Sequence, residues 1–175
     1  MRKPTIVLLF LTGLVSVLLL FSFNSISNDS QENHFRFDSL VVAKKERKMT
    51  AWFEGSLQRT YKISLGKNPV GHKQFEGDFK TPEGLYRIND KNPNSGFYKN
   101  LGISYPNAAD REYAKLHGKS TGGSIKIHGM HPKWTWLGKL HRIRDWTNGC
   151  IAVTDKEMEE LYRGTPVGTP ILILP

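Results

Sequence analysis

Met49-Thr-Ala-Trp-Phe-Glu-Gly-Ser-Leu-Gln-Arg-Thr-Tyr-Lys-Ile-Ser-Leu65 is the stretch that decides the fold class. Its two β-branched and aromatic runs, Met49–Phe53 and Leu57–Leu65, are broken by Glu54-Gly55-Ser56, the pattern of a hairpin. Leu40-Val41-Val42-Ala43 just upstream has strand composition and length. Gly84–Asn89 and Ser124–His128 alternate apolar with polar side chains, so each presents one face to a core. The apolar run Ile171–Leu174 fits a final buried strand. Asn107–His117 has helical composition, and Thr154-x-x-Glu157 is a capping box that opens a short helix through Met158, Leu161 and Tyr162. Many strands and few helices predict a mainly β fold, an antiparallel sandwich or barrel with two or three short helices, rather than a βαβ nucleotide-binding fold. The glycines make no phosphate loop, and no internal repeat is present.

The N-terminus has a different character. Arg2 and Lys3 precede Thr5–Phe23, nineteen residues without a charge. That length exceeds the roughly 7–15 residues of a signal-peptide apolar core and approaches the roughly 20 that span a bilayer. Residues 1–24 are therefore expected to form a membrane-directed helix. An uncleaved anchor is favoured over a cleaved signal with Ser25-Ile26-Ser27 as its small-x-small site. No cysteine follows the apolar run, which excludes a lipid-anchored lipoprotein. Residues 25–37 read as a polar tether and 38–175 as one domain, placed outside the cytoplasm by Arg2 and Lys3. The net charge of +9, or +7 once Arg2 and Lys3 are set aside, either suits an anionic partner or is solvated surface serving solubility. Outside the cytoplasm the available polyanions are cell-wall polymers and lipid head groups. The basic residues are scattered and no nucleic-acid motif is present, so no nucleic acid is expected as a partner. The chain is expected to be a monomer.

One cysteine occurs in 175 residues, Cys150, in the run Asp145-Trp-Thr-Asn-Gly-Cys-Ile-Ala-Val153. A lone thiol is no half of an internal disulfide, so it is either a small buried hydrophobe or a nucleophile awaiting a base. Thr147, Asn148 and Gly149 form strands poorly, so a turn is expected to hand Cys150 over to the apolar run Ile151–Val153. Upstream, Ile127-His128-Gly129 puts a histidine at the end of an expected strand. Trp146 is expected in the core.

Ile127-His128-Gly129, a gap, and then Asp145–Val153 resemble the catalytic signature of the YkuD-type L,D-transpeptidases. Tyr61-Lys-Ile-Ser-Leu-Gly66 with Gly71-His-Lys, Lys80-Thr-Pro-Glu-Gly-Leu-Tyr86 and Val167-Gly-Thr-Pro-Ile171 are similar to further stretches of that family. The resemblance spans roughly residues 38 to 175. It implies a mostly β domain acting on peptidoglycan stem peptides, with Cys150 as nucleophile, His128 as proton donor and acceptor, and the Gly129 carbonyl orienting the imidazole. It implies no cofactor and no metal. Backbone N–H groups of Asn148, Gly149 and Cys150 are the nearest candidates for an oxyanion hole. An imidazolium beside the thiol would lower its pKa.

The chain departs from the family pattern at two positions. Many members have His directly before Gly-Cys and Arg two residues after the cysteine; this chain has Asn148 and Ala152. Lys126, Lys133, Arg142 and Arg144 are the candidate replacements for holding a substrate carboxylate. The segment 130–144, with His131, Trp134, Trp136 and His141, is either a lid or ordinary packing, and His141 is the second candidate for a functional histidine. His34, His72 and His117 read as surface residues. Two other classes stand beside the cysteine enzyme. One is a zinc site built from His128, His131, His141 and Cys150, against which the spacing argues. The other is a wall-binding module without turnover. Among enzymes, an L,D-carboxypeptidase or amidase would use the same thioester.

Overall fold

The computed structural model describes residues 36–175. The apolar segment and most of the tether read from the sequence lie outside the described residues. Phe37, at the end of the expected tether, is buried in the core and its amide donates to Gly164 O at 2.7 Å, because a large apolar ring gains more by joining the core than by staying in solvent. No helix of the described residues is long and apolar enough to cross a membrane.

The hairpin forms as expected. Strand β1 (Ser39–Ala43) pairs antiparallel with β2 (Lys48–Phe53), and β2 with β3 (Ser56–Lys62). The β2–β3 turn has positive φ at Glu54 and Gly55, 49° and 73°, as a two-residue hairpin turn requires. Leu40, Val42, Met49 and Ala51 alternate into the core. The other elements are β4 (Gly84–Ser95), β5 (Tyr98–Ile103), helix α1 (Ala108–Leu116), β6 (Lys126–His128), a 3₁₀ segment (Pro132–Ile143), β7 (Ile151–Ala152), helix α2 (Asp155–Gly164) and β8 (Pro170–Leu174). Both helices start at side-chain caps, Asn107 with Asp110 and Thr154 with Glu157. These satisfy amides that a helix start otherwise leaves unpaired.

The eight strands form one sheet in the order β3-β2-β1-β8-β4-β5-β6-β7. It is mixed: β1 with β8 and β6 with β7 run parallel, and the remaining neighbours antiparallel. Past Lys62 the chain continues from one end of this order to the other, where Ser64 bridges Ala152 and Gly66 bridges Thr147. The sheet is thereby curled into a half-barrel. β5 is an inner strand that the sequence reading did not register, because its buried positions include Asn100 and Gly102, which carry no strand signal. Met158 and Leu161 of α2 join the core, and α2 packs on β5 and β6.

A long irregular segment, 66–83, is held by buried charge rather than by strand pairing. Lys44, only 2% exposed, donates to Gly71 O at 2.7 Å, Thr81 O at 2.9 Å and Glu83 Oε1 at 2.8 Å. Asp78 accepts from Lys73 Nζ and from the amides of Gln74, Phe75 and Lys80. Removing the ammonium of Lys44 leaves two carbonyls and a carboxylate without their donor. Lys44→Ala is therefore expected to lower unfolding free energy by about 3 kcal/mol in urea denaturation, the low end for breaking a buried pair because Glu83 is partly solvated. A loss below about 1 kcal/mol would show that the cluster is not a tie.

Candidate active site

The closing bridges position Cys150. Thr147 N donates to Leu65 O at 3.1 Å and Lys67 N to Thr147 O at 3.0 Å. The buried Thr147 hydroxyl then closes the turn on itself, donating to Cys150 O at 2.7 Å and accepting from Gly149 N at 3.1 Å. Gly149 has φ 132°, and a Cβ there would lie 2.6 Å from Lys80 O, so only glycine fits. Cys150 is thus delivered one residue before β7.

The register supplies its neighbours. Ile127 pairs with Ile151 and His128 with Ala152 in the parallel β6–β7 pair, while Asn100 of β5 pairs with His128. Residues paired across strands share a face, and alternate residues along a strand do too. Asn100, His128 and Ala152 therefore stand on the face that Lys126 and Cys150 also occupy. Ala152 presents only a methyl beside the imidazole. Cys150 and His128 line one cleft of about 450 Å³ with Lys126, Lys67, Asn148 and Trp146 on its walls.

His128 is buried and fixed from three sides. Its Nδ1 lies 2.7 Å from Gly129 O, a contact that requires the proton on Nδ1 and leaves Nε2 as the other ring nitrogen. Phe97 packs on the ring at 4.7 Å between centroids, and Trp146 meets it edge-on at 5.7 Å. A Cβ on Gly129 would lie 2.6 Å from Asp155 Oδ1, which accepts from Met130 N at 2.7 Å and so ties this end of β6 to the start of α2.

Burial dominates the electrostatics. It pushes the Cys150 thiol above its ordinary pKa, against the opposing pull of the Lys126 amide and charge. It pushes His128 below the ordinary histidine value despite the bond to Gly129 O. Burial thus favours the neutral thiol and the neutral imidazole.

Other expected site residues fall differently. The Gly149 amide is spent on Thr147 Oγ1, which leaves the Asn148 and Cys150 amides as the oxyanion candidates. Asn148 is exposed and its Oδ1 accepts from Lys67 Nζ at 3.1 Å. His141 is buried in a second hollow that does not include Cys150 or His128; Trp146 lines both. Trp146 is accordingly a half-buried wall rather than a core residue, because the turn at Thr147 turns its indole into the cleft. Of the four candidate cations, Lys126 faces the cleft, Lys133 is exposed, Arg142 pairs with Glu157 and Arg144 borders the second hollow. His72 is no free surface residue: its Nε2 lies 3.0 Å from Asp110 Oδ1 and its Nδ1 accepts from Glu83 N. The imagined zinc ligands are not brought together, and among the described residues no three His, Cys, Asp or Glu side chains are grouped to share a metal. Lys67, Phe97 and Asn100 were not singled out by the sequence; each reaches the cleft from a segment remote in the chain, with no local motif to mark it.

The YkuD family of L,D-transpeptidase catalytic domains matches residues 38–173, most of the chain. The chain belongs to this family. It is 32% identical over 131 residues to the Escherichia coli (strain K12) protein named "Putative L,D-transpeptidase YafK", covering 71% of this chain and 45% of YafK. It also resembles the crystal structure of the helical cell shape determining protein Pgp2 (K307A mutant) of Campylobacter jejuni, with a TM-score of 0.58 and 26% identity over 78% of this chain and 48% of Pgp2. The L,D-transpeptidase of Mycobacterium smegmatis shares the fold, with a TM-score of 0.52 at 17% identity over 78% of this chain and 58% of that one. The chain spans less than half the length of YafK and of Pgp2.

A neutral resting pair has a kinetic signature. The Cys150 pKa is raised, so the thiolate is a small fraction at neutral pH and grows as pH rises. Alkylation of the native protein by iodoacetamide is expected to accelerate about tenfold per pH unit between roughly pH 6 and 8. A rate that is flat across that range would instead indicate a preformed thiolate–imidazolium pair.

Proposed function

We propose that this domain is a cysteine-dependent acyltransferase that takes peptidoglycan stem peptides as donors. The observation that carries the reading is the shared cleft of Cys150 and His128, with Nδ1 of the histidine held by Gly129 O. Family membership and the shared cleft both support this reading.

The Cys150 thiol gives its proton to His128 Nε2 as sulfur attacks the carbonyl between the third stem residue and the following D-alanine. The imidazolium is stabilised by donation from Nδ1 to Gly129 O. Charge on the attacked oxygen is met by the Asn148 and Cys150 amides. His128 then returns the proton to the leaving nitrogen, D-alanine departs, and a thioester remains on Cys150. An amine from a second stem attacks the thioester, His128 takes its proton, and the thiol is regenerated with a new peptide bond. Water in place of the amine would make the site a carboxypeptidase. Lys126 and Lys67 are the cations facing the cleft, in place of the arginine that many relatives carry where this chain has Ala152. They would hold the donor's carboxylates. The uncharged segment 5–23 and the basic charge support action at the cell wall outside the cytoplasm, with the membrane as a second partner.

Incubation with a carbapenem is expected to add one drug mass to the intact protein and none to Cys150→Ala. His128→Ala is expected to remain folded by circular dichroism, with a lowered thermal transition because a buried ring is removed, and to lose about 100- to 10,000-fold in the release of D-alanine from tetrapeptide stems. Full turnover in either variant would refute the assignment.

A further inference from the structure

The 3₁₀ segment Pro132–Ile143 is turned inside out. Its one buried residue is a histidine, His141, while Trp134 is 46%, Trp136 76%, Leu140 60% and Ile143 80% exposed. In a 3₁₀ helix residues three apart stack on one side, which pairs Trp134 with Leu137 and Leu140 with Ile143. The segment breaks between the pairs at Gly138, with φ 47° and ψ −123°, yet both pairs border one open hollow of about 490 Å³ with Met130 and Trp146. The apolar tips thus form one patch rather than scattered singles. Trp136 Nε1 donates to Lys133 O at 3.0 Å, so that indole could leave water without stranding its donor.

Charge on the same segment has one sign. Residues 130–144 contain no Asp or Glu. Arg142 is engaged by Glu157, but Lys133, Lys139 and Arg144 are exposed and form no ion pair among the described residues. Arg144 borders the same hollow.

A partner for this face must offer hydrocarbon and negative charge together. A second copy of the face would set cations against cations. A glycan would find in Leu140 and Ile143 neither a flat ring nor a hydrogen bond. The boundary of an anionic bilayer supplies each part: acyl chains for Leu140 and Ile143, the headgroup level for the indoles, and phosphates for Lys133, Lys139 and Arg144. We propose that the 3₁₀ segment, with Arg144, is an interfacial contact that lays this face of the domain on an anionic phospholipid surface. Trp134 and Trp146 line both this hollow and the Cys150 cleft, so the docked face adjoins the cleft. The contact is separate from the uncharged run Thr5–Phe23 and does not depend on the chemistry read for Cys150.

The test reconstitutes the full chain in vesicles whose acyl chains carry bromine, which quenches nearby indoles. Tryptophan occurs at positions 52, 134, 136 and 146 and nowhere before them, so quenching reports the domain and not the N-terminal run. Strong quenching is expected in brominated phosphatidylglycerol. It is expected to fall by about half or more in the double variant Leu140→Glu, Ile143→Glu, which keeps every tryptophan. A similar fall is expected in brominated phosphatidylcholine, and in the triple variant Lys133→Gln, Lys139→Gln, Arg144→Gln, which leaves the apolar tips in place. All five positions are exposed, so both variants are expected to match the wild type in circular dichroism and thermal transition. Absence of quenching in phosphatidylglycerol, equal quenching in phosphatidylcholine, or indifference to both variants would overturn the proposal. So would a dimer in detergent that Leu140→Glu, Ile143→Glu dissociates, found together with no quenching in vesicles, since that would assign the face to a second copy.

Discussion

Two backbone bridges, Ser64 with Ala152 and Gly66 with Thr147, hold the ends of the curled sheet together, and the turn bearing Cys150 is suspended between them and β6. The turn has little regular structure of its own. It keeps its shape because Thr147 caps it from within and the Lys80 carbonyl leaves room only for a glycine behind it. Lys80 in turn belongs to the irregular segment that Lys44 and Asp78 hold by buried charge. A lysine at the end of β1 is thus connected, through a loop without secondary structure, to the backbone behind the cysteine. Stability and site geometry are in this way parts of one arrangement.

The same burial that orders the site sets its charge state. A thiol and an imidazole removed from water both favour their neutral forms, the first by a raised and the second by a lowered pKa. On the proposed mechanism this is compatible with catalysis, because the histidine is wanted as a base at the moment of attack and as an acid immediately afterwards. The bond from Nδ1 to Gly129 O fixes the tautomer for the first role and stabilises the cation for the second. Lys126 and Lys67 stand at the walls of the same cleft, where on that mechanism they would meet anionic groups of the donor.

Local patterns were legible in the sequence. The β2–β3 hairpin, both helix caps and the turn before Ile151 follow from alternation, from side chains that bond their own backbone, and from glycine. Long-range pairings were not. Nothing in Leu40–Ala43 or Ile171–Leu174 says that these runs lie side by side and parallel, and nothing in Asn100 or Gly102 marks an inner strand. Cys150 and His128, which line one cleft, stood out in the sequence because each sits in a short distinctive run. Phe97, which holds the imidazole, and Lys67, which reaches Asn148, meet the site only through the curl of the sheet. The second hollow was hidden for the same reason, since its walls depend on which way Trp146 turns.

The family supplies a reaction class, while the residues that differ from the family pattern, Asn148 and Ala152, line or adjoin the cleft in which a substrate would be chosen. The most direct measurement of the central claim is intact-mass analysis of the protein, quenched with acid during incubation with a disaccharide tetrapeptide. The account predicts an adduct equal to the disaccharide tripeptide acyl group, carried on the peptide that contains Cys150, with one D-alanine released for each adduct formed. Release of D-alanine without any covalent species, or an adduct that persists in Cys150→Ala, would contradict it.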